Sequence, residues 1–498
     1  MIACEHSFGK VHDVLSRLDR YVQEKGIEEE RADIVERGIF DLVLELGHSF
    51  LESFFELAGD GDVGETLERD GEVLKKQGLN VRKYRSIFGV VEVLRCVYAT
   101  RAKQKEFAPL DRDLGLPSVE HSYVLQDWLT RVCVKNSFDD SVESLRSLLG
   151  IKVSKRTAEQ LNEDLGSYVK EFRELHPANF EDDEDVLVVS ADGKGVPMRS
   201  TIEARNGLPE TAWQRHHRRK QEKKSDGRAK RRLARGQTRG RKQMAYVGAV
   251  YTIKPWFRTS DDVLSEVVEK ASTVRPRPLN KCVQAVMSNY FEGEHVNGQD
   301  VLFADFAKQV RHRDPTSRMK LVCLMDGQRS LWNMQRQYLP HAVEIVDIFH
   351  ISERLWEAAY CFHKESSSEA EEMVCRYFKL ILDGRVDTVI RSLRGKLRLL
   401  TSTKHKILSG IIRYYDNNRT YMKYDEYLRN GYPIGSGAVE GTCRHLVKDR
   451  MERTGMRWEI EGAQAMLNTR SAYINGEWNE LIEFRINREQ NCLSGQAA

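Results

Sequence analysis

The sequence predicts a helix-rich, mixed α/β fold, and two observations indicate this class. From residue 186 onward, four short apolar runs alternate with apolar residues at helical spacing, as strands and helices do in an α/β core. Only 11 of the 498 residues are proline, so the commonest helix breaker is scarce. A chain of this length holds roughly two to four domains. Its 40% hydrophobic and 31% charged residues exclude a disordered chain and a membrane-embedded one.

The first hundred residues predict two helices and a hairpin. Residues 11–57 carry apolar side chains at helical spacing, which predicts two amphipathic helices. Residues 82–100 are rich in β-branched and aromatic side chains around a central glycine, which predicts a short hairpin. We expect the apolar stripe of the second helix to have a packing role; it consists of Ile39, Leu42, Leu46, Phe50 and Phe54.

Two short helices, 137–149 and 155–168, are predicted next. Ser137 opens a capping box and Gly150 ends the first helix. The second begins with Lys155 and Arg156, as the reading helix of a helix-turn-helix does when it contacts DNA. A helical hairpin that only packs would have the same pattern, so both interpretations stay open.

Residues 181–451 predict a linker, strands, a helical insertion and a last helix. The acidic residues 181–185 form a linker, residues 351–430 form a helical insertion, and residues 435–451 form a helix after a Gly-Ser-Gly opening. Each of the last two strands is followed by a helical pattern. The predicted strands are Val186–Ser190, Met244–Ile253, Lys320–Met325 and Val343–Val346.

The net charge of +3 conceals a strongly basic segment, residues 215–242, which we call the basic arm. It holds 14 lysines and arginines against Glu222 and Asp226, a local charge of +12. The remaining 470 residues therefore carry −9, the difference between +3 and +12. Such a run is usually solvated and disordered, and it can also bind the phosphates of a nucleic acid. The arm residues predicted to contact DNA are Arg215, Arg218, Arg219, Lys220, Lys230, Arg231, Arg232, Arg235, Arg241 and Lys242.

Three acids, Asp192, Asp326 and Glu440, stand at the ends of predicted elements. Each alone has a plain interpretation, because Asp-Gly is most often a turn and Glu440 would lie on a helix surface. Together they suit phosphodiester chemistry, which needs hard oxygen ligands for two divalent ions roughly 3.5–4 Å apart. Arg444 and Lys448 follow Glu440 at four-residue intervals, so one helix face would offer a metal ligand and two cations for the DNA backbone.

A fourth element, Asp347-Ile348-Phe349-His350, follows Asp326 by 21 residues. By itself it would be a strand end with a satisfied histidine. At these residues the sequence resembles the bacterial insertion-sequence transposases of the ISKra group, which are DDE transposases with a ribonuclease H-like core. The resemblance is specific over residues 186–470 and looser before about residue 180. It is carried by SADGKG (190–195), MAYVGAVYTI (244–253), LMDGQ (324–328), DIFHISERLW (347–356) and YPIGSGAVEGTCRHLVKDRMERTGMRW (432–458).

The resemblance implies a ribonuclease H-like core in which Asp192, Asp326 and Glu440 are the catalytic residues and metal ligands. Asp347 and His350 match the Asp/Cys-x-x-His element of related groups and are implied as supporting residues. The implied cofactor is Mg²⁺, as two ions, with Mn²⁺ as a substitute. The implied partners are the terminal inverted repeats and target DNA, bound by a homodimer or higher oligomer. The sequence leaves open whether Asp326 or Asp347 lies nearer the metals.

Two further functions stay open. A ribonuclease H-like nuclease acting on branched or damaged DNA would share the triad and the basic arm but would lack strand transfer. A catalytically silent DNA-binding regulator descended from a transposase belongs to a different class. The three intact acids argue against that second alternative without excluding it.

The predicted domains and location follow from the same observations. The nine cysteines include no CxxC, which argues against a thiolate zinc site and a disulfide framework. No stretch approaches the roughly 18 uncharged apolar residues of a membrane span, and residues 1–15 lack an apolar signal core. We expect a bacterial cytoplasmic protein without a membrane partner. The predicted domains are a helical region (1–80), a hairpin with a helix-turn-helix-like DNA-binding region (81–180), the catalytic core (181–480) and a tail (481–498).

Overall fold

The chain divides into two compact units, and each combines helices with a sheet. Unit 1 comprises Met1–Phe172 and Gly476–Ala498, and unit 2 comprises Arg173–Asn475. The predicted helix-rich, mixed α/β class is therefore confirmed. The computed structural model describes residues 8–69, 71–100, 106–177, 183–199, 242–267, 275–291, 294–435, 437, 441, 444–453 and 455–494.

Unit 1 begins with the two predicted helices, α1 (Gly9–Ile27) and α2 (Ala32–Ala58). They pack against each other, and α2 also packs against the sheet of this unit through Phe55. The predicted packing role of α2 is confirmed, although Phe50 and Phe54 of its apolar stripe are 47% and 50% exposed. The ring of Phe50 makes an edge contact with that of Phe8, and the ring of Phe54 makes one with Phe55.

The predicted hairpin forms and is longer than residues 82–100. It consists of β2 (Glu72–Ser86) and β3 (Gly89–Ala99), and Gly89 has the positive φ of +119° that the turn requires. The early part of β2 is mostly polar and is held by pairing with β1 (Thr66–Arg69) and β3. The short strand β4 (Glu106–Phe107) completes the order β1-β2-β3-β4.

Four helices come next along the chain. The first two were not predicted, the third was predicted, and the fourth was predicted in part. Helix α5 (Phe138–Leu149) has Ser137 as its capping residue and ends at Gly150, where φ is +69°. Helix α6 extends to Leu175, because Val169 and Phe172 continue its buried stripe. The four helices are α3 (Pro109–Asp113), α4 (Tyr123–Cys133), α5 and α6 (Lys155–Leu175).

Unit 2 is built on a five-stranded mixed sheet with the order β11-β10-β5-β6-β7. The first three strands along the chain form an antiparallel meander, and β10 and β11 add in parallel beside β5. The four predicted strands form, and β7 was missed because Lys281 and Gln284 interrupt its apolar pattern. The strands are β5 (Val186–Pro197), β6 (Lys242–Ile253), β7 (Leu279–Met287), β10 (Lys320–Met325) and β11 (Val343–Val346), and a separate pair comprises β8 (Asn289–Phe291) and β9 (Glu294–Val296).

The helices of unit 2 confirm the predicted helical run over 351–430. In the last motif, residues 437, 441 and 444–451 are helical, with Arg444–Lys448 wound as a π-helix. Gly435, the first residue of the Gly-Ser-Gly opening, precedes this helical part. The helices are α7 (Ser260–Val267), α8 (Gly298–Arg313), α9 (Arg329–Tyr338), α10 (Ile348–Tyr360), α11 (Ser368–Leu382), α12 (Val386–Lys396), α13 (Ser402–Asn418), α14 (Tyr424–Arg429) and α15 (Ile460–Ile474).

The last helix, α16 (Trp478–Ser494), returns to unit 1. Arg485 forms a 2.6 Å ion pair with Asp164 of α6, and the Trp478 indole donates a 2.6 Å hydrogen bond to Asp127 of α4. These contacts hold the end of the chain against helices near its beginning. Within the described residues, no helix is both long enough and apolar enough to cross a membrane.

Candidate active site

Asp192 and Asp326 directly follow the last register pair between the parallel strands β5 and β10. Ala191 of β5 pairs with Met325 of β10 in the sheet. Asp192 follows Ala191, and Asp326 follows Met325. Asp326 follows the last residue of β10, as predicted. The predicted end of the strand before Asp192-Gly193 is wrong, because β5 continues to Pro197 while β6 pairs with it along this whole length.

The Asp192 carboxylate already has a cationic partner. Lys194 Nζ lies 2.9 Å from Asp192 Oδ2, and the Gly193 backbone N–H donates a 2.6 Å hydrogen bond to Oδ1. Residues 192 and 194 share one face of the strand because side chains alternate along it. Lys194 is a site residue that the sequence analysis did not identify. The two-residue alternation within SADGKG is the signal that could have found it.

Asp326 sits in a tight turn that fixes its carboxylate. The Gln328 backbone N–H donates a 2.8 Å hydrogen bond to Asp326 Oδ1, and the Tyr414 hydroxyl donates a 2.7 Å bond to the Asp326 carbonyl. Between them Gly327 has a φ of +87°, and a Cβ there would come within 3.0 Å of Tyr414 Oη and Asn418 Oδ1. The turn therefore needs glycine for its backbone conformation and for its space.

Burial raises the pKa of the Asp326 carboxyl, and the negative charge of Asp192 raises it further. The Gln328 N–H and the positive charges of His350 and Lys194 act in the opposite direction. These four side chains thus share one electrostatic environment. Two carboxylates that repel each other in a half-buried place favour a cation between them.

Asp347 occupies a different place from Asp326. It is fully buried at the end of β11, and its backbone N–H donates a 2.9 Å hydrogen bond to the Met325 carbonyl. Its Oδ1 accepts a 2.9 Å bond from the Phe349 N–H and so caps α10. Its Oδ2 lies 3.5 Å from His350 Nδ1. Asp347 is therefore engaged in capping α10, and its second carboxylate oxygen lies within ion-pair distance of His350.

The surroundings of His350 favour the charged form of its imidazole. The Asp347 carboxylate is the main cause and, together with Asp326 and Glu353, it raises the pKa of His350 to about 8 against the effect of burial. The imidazole is partly exposed, at 31% of its side-chain surface. A charged His350 imidazole near Asp347 and Asp326 can hold an anionic group such as a phosphate.

Of the other predicted site residues in unit 2, three lie on β6 or the π-helix, and the rest lie outside the described residues. Lys242, the last residue of the basic arm, is also the first residue of β6, and it forms a 2.7 Å ion pair with Glu452. Arg444 begins the π-helix, and Lys448 at its end is exposed. Outside the described residues lie Glu440, Arg215, Arg218, Arg219, Lys220, Lys230, Arg231, Arg232, Arg235 and Arg241.

The two DNA-reading candidates lie in unit 1, at the start of α6. Lys155 forms a 2.7 Å ion pair with Asp139 of α5, so this lysine ties the two helices together. Arg156 is exposed. The structure thus gives Lys155 a structural partner and leaves Arg156 at the surface of the helix start.

The donor set at Asp192 and Asp326 fits a hard divalent cation, because both supply carboxylate oxygens from adjacent strand positions. Lys194 holds the compensating positive charge in the structure. Among the residues that the structure describes, no group of three His, Cys, Asp or Glu side chains is arranged to hold a metal, and the predicted third ligand, Glu440, is not one of them. Comparison with known protein families gives no match, and no curated protein matches the chain either.

Proposed function

We propose that this chain is a DDE transposase that binds the ends of its insertion sequence and carries out metal-dependent DNA cleavage and strand transfer. The proposal rests on the positions of Asp192 and Asp326. Both directly follow the last register pair of the parallel strands β5 and β10, and His350 and Lys194 act on the same carboxylates. A site with two hard carboxylates and two cations is suited to a phosphodiester.

The strand order supports a ribonuclease H-like core. In such a core three strands form an antiparallel meander and two more add in parallel beside the first. The order β11-β10-β5-β6-β7 has this arrangement, with β5 as the central strand. Asp192 lies on that central strand and Asp326 on its parallel neighbour, which agrees with the positions of the DDE residues in the sequence resemblance.

Asp192, Asp326 and Glu440 would hold two Mg²⁺ ions, for which Mn²⁺ is a substitute. Bound there, such ions lower the pKa of water and offset negative charge on the reacting phosphate. Asp347 would orient His350, whose charge is suited to a non-bridging phosphate oxygen. Lys194, which lies next to Asp192, would be placed to hold a DNA phosphate there. We assign Asp326 to the metals and Asp347 to support, because Asp347 is buried and already engaged.

The experiment is cleavage and joining of duplexes that carry the element ends, in Mg²⁺ buffer. We expect Asp192→Asn and Asp326→Asn each to lower cleavage on the order of 1,000-fold, since each swap removes ligand charge and keeps the shape. The matched control is Asp383→Asn, an exposed carboxylate at the end of α11, which should cleave like the wild type.

Each outcome decides between the candidate functions. Cleavage followed by joining to target DNA supports a transposase. Cleavage that never yields a joined product supports a nuclease instead. Full activity in Asp192→Asn or Asp326→Asn removes that residue from the site, and a wild type that binds the ends without cleaving them in Mg²⁺ or Mn²⁺ supports a silent regulator.

A further inference from the structure

A row of exposed apolar side chains runs along α2 in unit 1. Its members recur at intervals of three, four or seven residues, so they fall on one stripe of the helix. Their exposed fractions lie between 44% and 51%, which is high for large apolar side chains in a helix that packs on two other sides. The row consists of Phe40, Val43, Phe50, Phe54 and Leu57.

The row is continued by neighbouring elements. Gly47 occupies its one gap, and there the ring of Phe88 from the β2–β3 turn covers the helix, because a Cβ on Gly47 would lie 2.6 Å from that ring. Phe88 is itself 37% exposed. On α1, Leu15 and Val22 are also exposed, at 38% and 45%.

The charged contacts between α1 and α2 lie on the opposite side of this helix pair. Lys10 pairs with Glu52 at 2.9 Å, and Arg17 pairs with Glu45 at 2.5 Å. At about 100° per residue, Leu15 and Val22 lie about 140–160° around α1 from Arg17, and Phe50 lies about 140° around α2 from Glu45. The pair therefore has one ion-paired side and one apolar side. We call the latter the α1–α2 apolar face.

The size of this face matches one half of a stable protein interface. The exposed fractions of its side chains amount to roughly 600 Å² of apolar surface, given about 150–250 Å² for a whole aromatic side chain. A standard interface buries about 800 Å² per partner, somewhat more than half of it apolar. Single monomers rarely expose an apolar patch of this size without a use for it.

The charge of the helix pair argues against DNA and anionic lipid as the partner. Residues 8–58 hold 6 lysines and arginines against 12 aspartates and glutamates, a net charge of −6. A phosphate-rich surface would be repelled by this segment. The partner that fits is a protein surface of similar size and apolar character.

We propose that the α1–α2 apolar face binds the same face of a second copy of this chain. A stripe with three- and four-residue spacing is complementary to an antiparallel copy of itself, and a two-fold contact of this kind closes without leaving a further sticky surface. The dimer would form without DNA, through four helices, two from each copy. The charge of −6 on each helix pair would oppose the contact, so the dimer should be tighter in high salt, where that repulsion is screened. The inference does not depend on the proposed transposition activity.

The test is the mass of the full chain in analytical ultracentrifugation, at micromolar concentration, in high salt and without DNA. The wild type should sediment at twice the chain mass of 57.5 kDa. Val43→Glu combined with Phe54→Glu should weaken the dimer by at least about 100-fold, because both charges would be buried in the interface. The matched control is Leu148→Glu on α5, where an apolar side chain is 67% exposed outside the face.

Thermal unfolding separates a lost interface from a lost fold. The half-exposed positions should accept glutamate without unfolding the chain, and the milder pair Val43→Thr and Phe54→Gln repeats the test if they do not. A monomeric wild type overturns the proposal. A dimer that survives both folded variant pairs, or that Leu148→Glu also dissociates, overturns the assignment to this face.

Discussion

At the residue scale, the Lys194 ammonium explains how two carboxylates can stand at adjacent strands before a metal binds. The ammonium lies 2.9 Å from Asp192 and also counteracts the rise in the pKa of Asp326. A bound divalent cation would take over that compensation. Lys194 therefore meets the electrostatic need that a bound cation would also meet.

Replacing Lys194 should make the fold more dependent on divalent cations. In Lys194→Met, the carboxylates repel without compensation, so we expect Mg²⁺ to raise the unfolding temperature about 2–4 °C more than in the wild type. Calorimetry with and without Mg²⁺ measures this. Lys242→Met is the matched control, since Lys242, on the neighbouring strand β6, forms a similar 2.7 Å ion pair with Glu452. An equal Mg²⁺ response in wild type and Lys194→Met would contradict this role.

The Asp347–His350 pair gives a pH-dependent prediction. Asp347→Asn keeps an oxygen to cap α10 and removes the charge, so the pKa of His350 should fall from about 8 towards its ordinary value of 6.5. Because the folded pKa is the higher one, the stabilisation by this pair is complete below pH 6.5 and is lost as the pH rises through about 8. NMR titration of the His350 ring measures the pKa directly. A wild-type ring that titrates near 6.5 would rule the pairing out, and Asp383→Asn should leave the titration unchanged.

At the element scale, local signals predicted what pairing across the sheets did not. Helix α5 was predicted to the residue because Ser137 and Gly150 act on its own ends. The start of β2 and all of β7 were not predicted, because polar residues within them are held by partners distant in sequence. The same reason explains Asp192, where an Asp-Gly pair that usually turns is kept extended by β6.

The start of α6 should supply part of the sequence specificity for DNA. Arg156→Ala should weaken binding to the element ends by about 10-fold or more and random duplex much less, since base contacts discriminate and phosphate contacts do not. Lys155→Ala should add a smaller loss, because Asp139 already engages that lysine. Fluorescence anisotropy with both duplexes measures the ratio, and Lys170→Ala, an exposed lysine further along α6, is the control. Equal losses on both duplexes would leave α5 and α6 a packing role.

At the scale of the whole molecule, charge is distributed very unevenly. Residues 215–242 carry +12, whereas the helix pair of residues 8–58 carries −6. Different parts of one chain are therefore suited to different partners. The basic arm is suited to a polyanion, and the helix pair is suited to a protein. The small net charge of +3 conveys none of this.

The basic arm should bind DNA through charge alone. If it neutralises six phosphates, it contributes about −0.9 per phosphate, roughly −5, to the slope of log binding constant against log salt. Replacing residues 215–241 with a Gly-Ser bridge should remove that contribution and weaken all duplexes alike. Unit 2 should still fold, because β5 and β6 pair with each other through to Pro197 and Lys242. Salt titrations of binding and a thermal melt of the same variant measure the two effects. An unchanged slope would exclude the arm from DNA binding, and a collapsed melting temperature would make it part of the folded core.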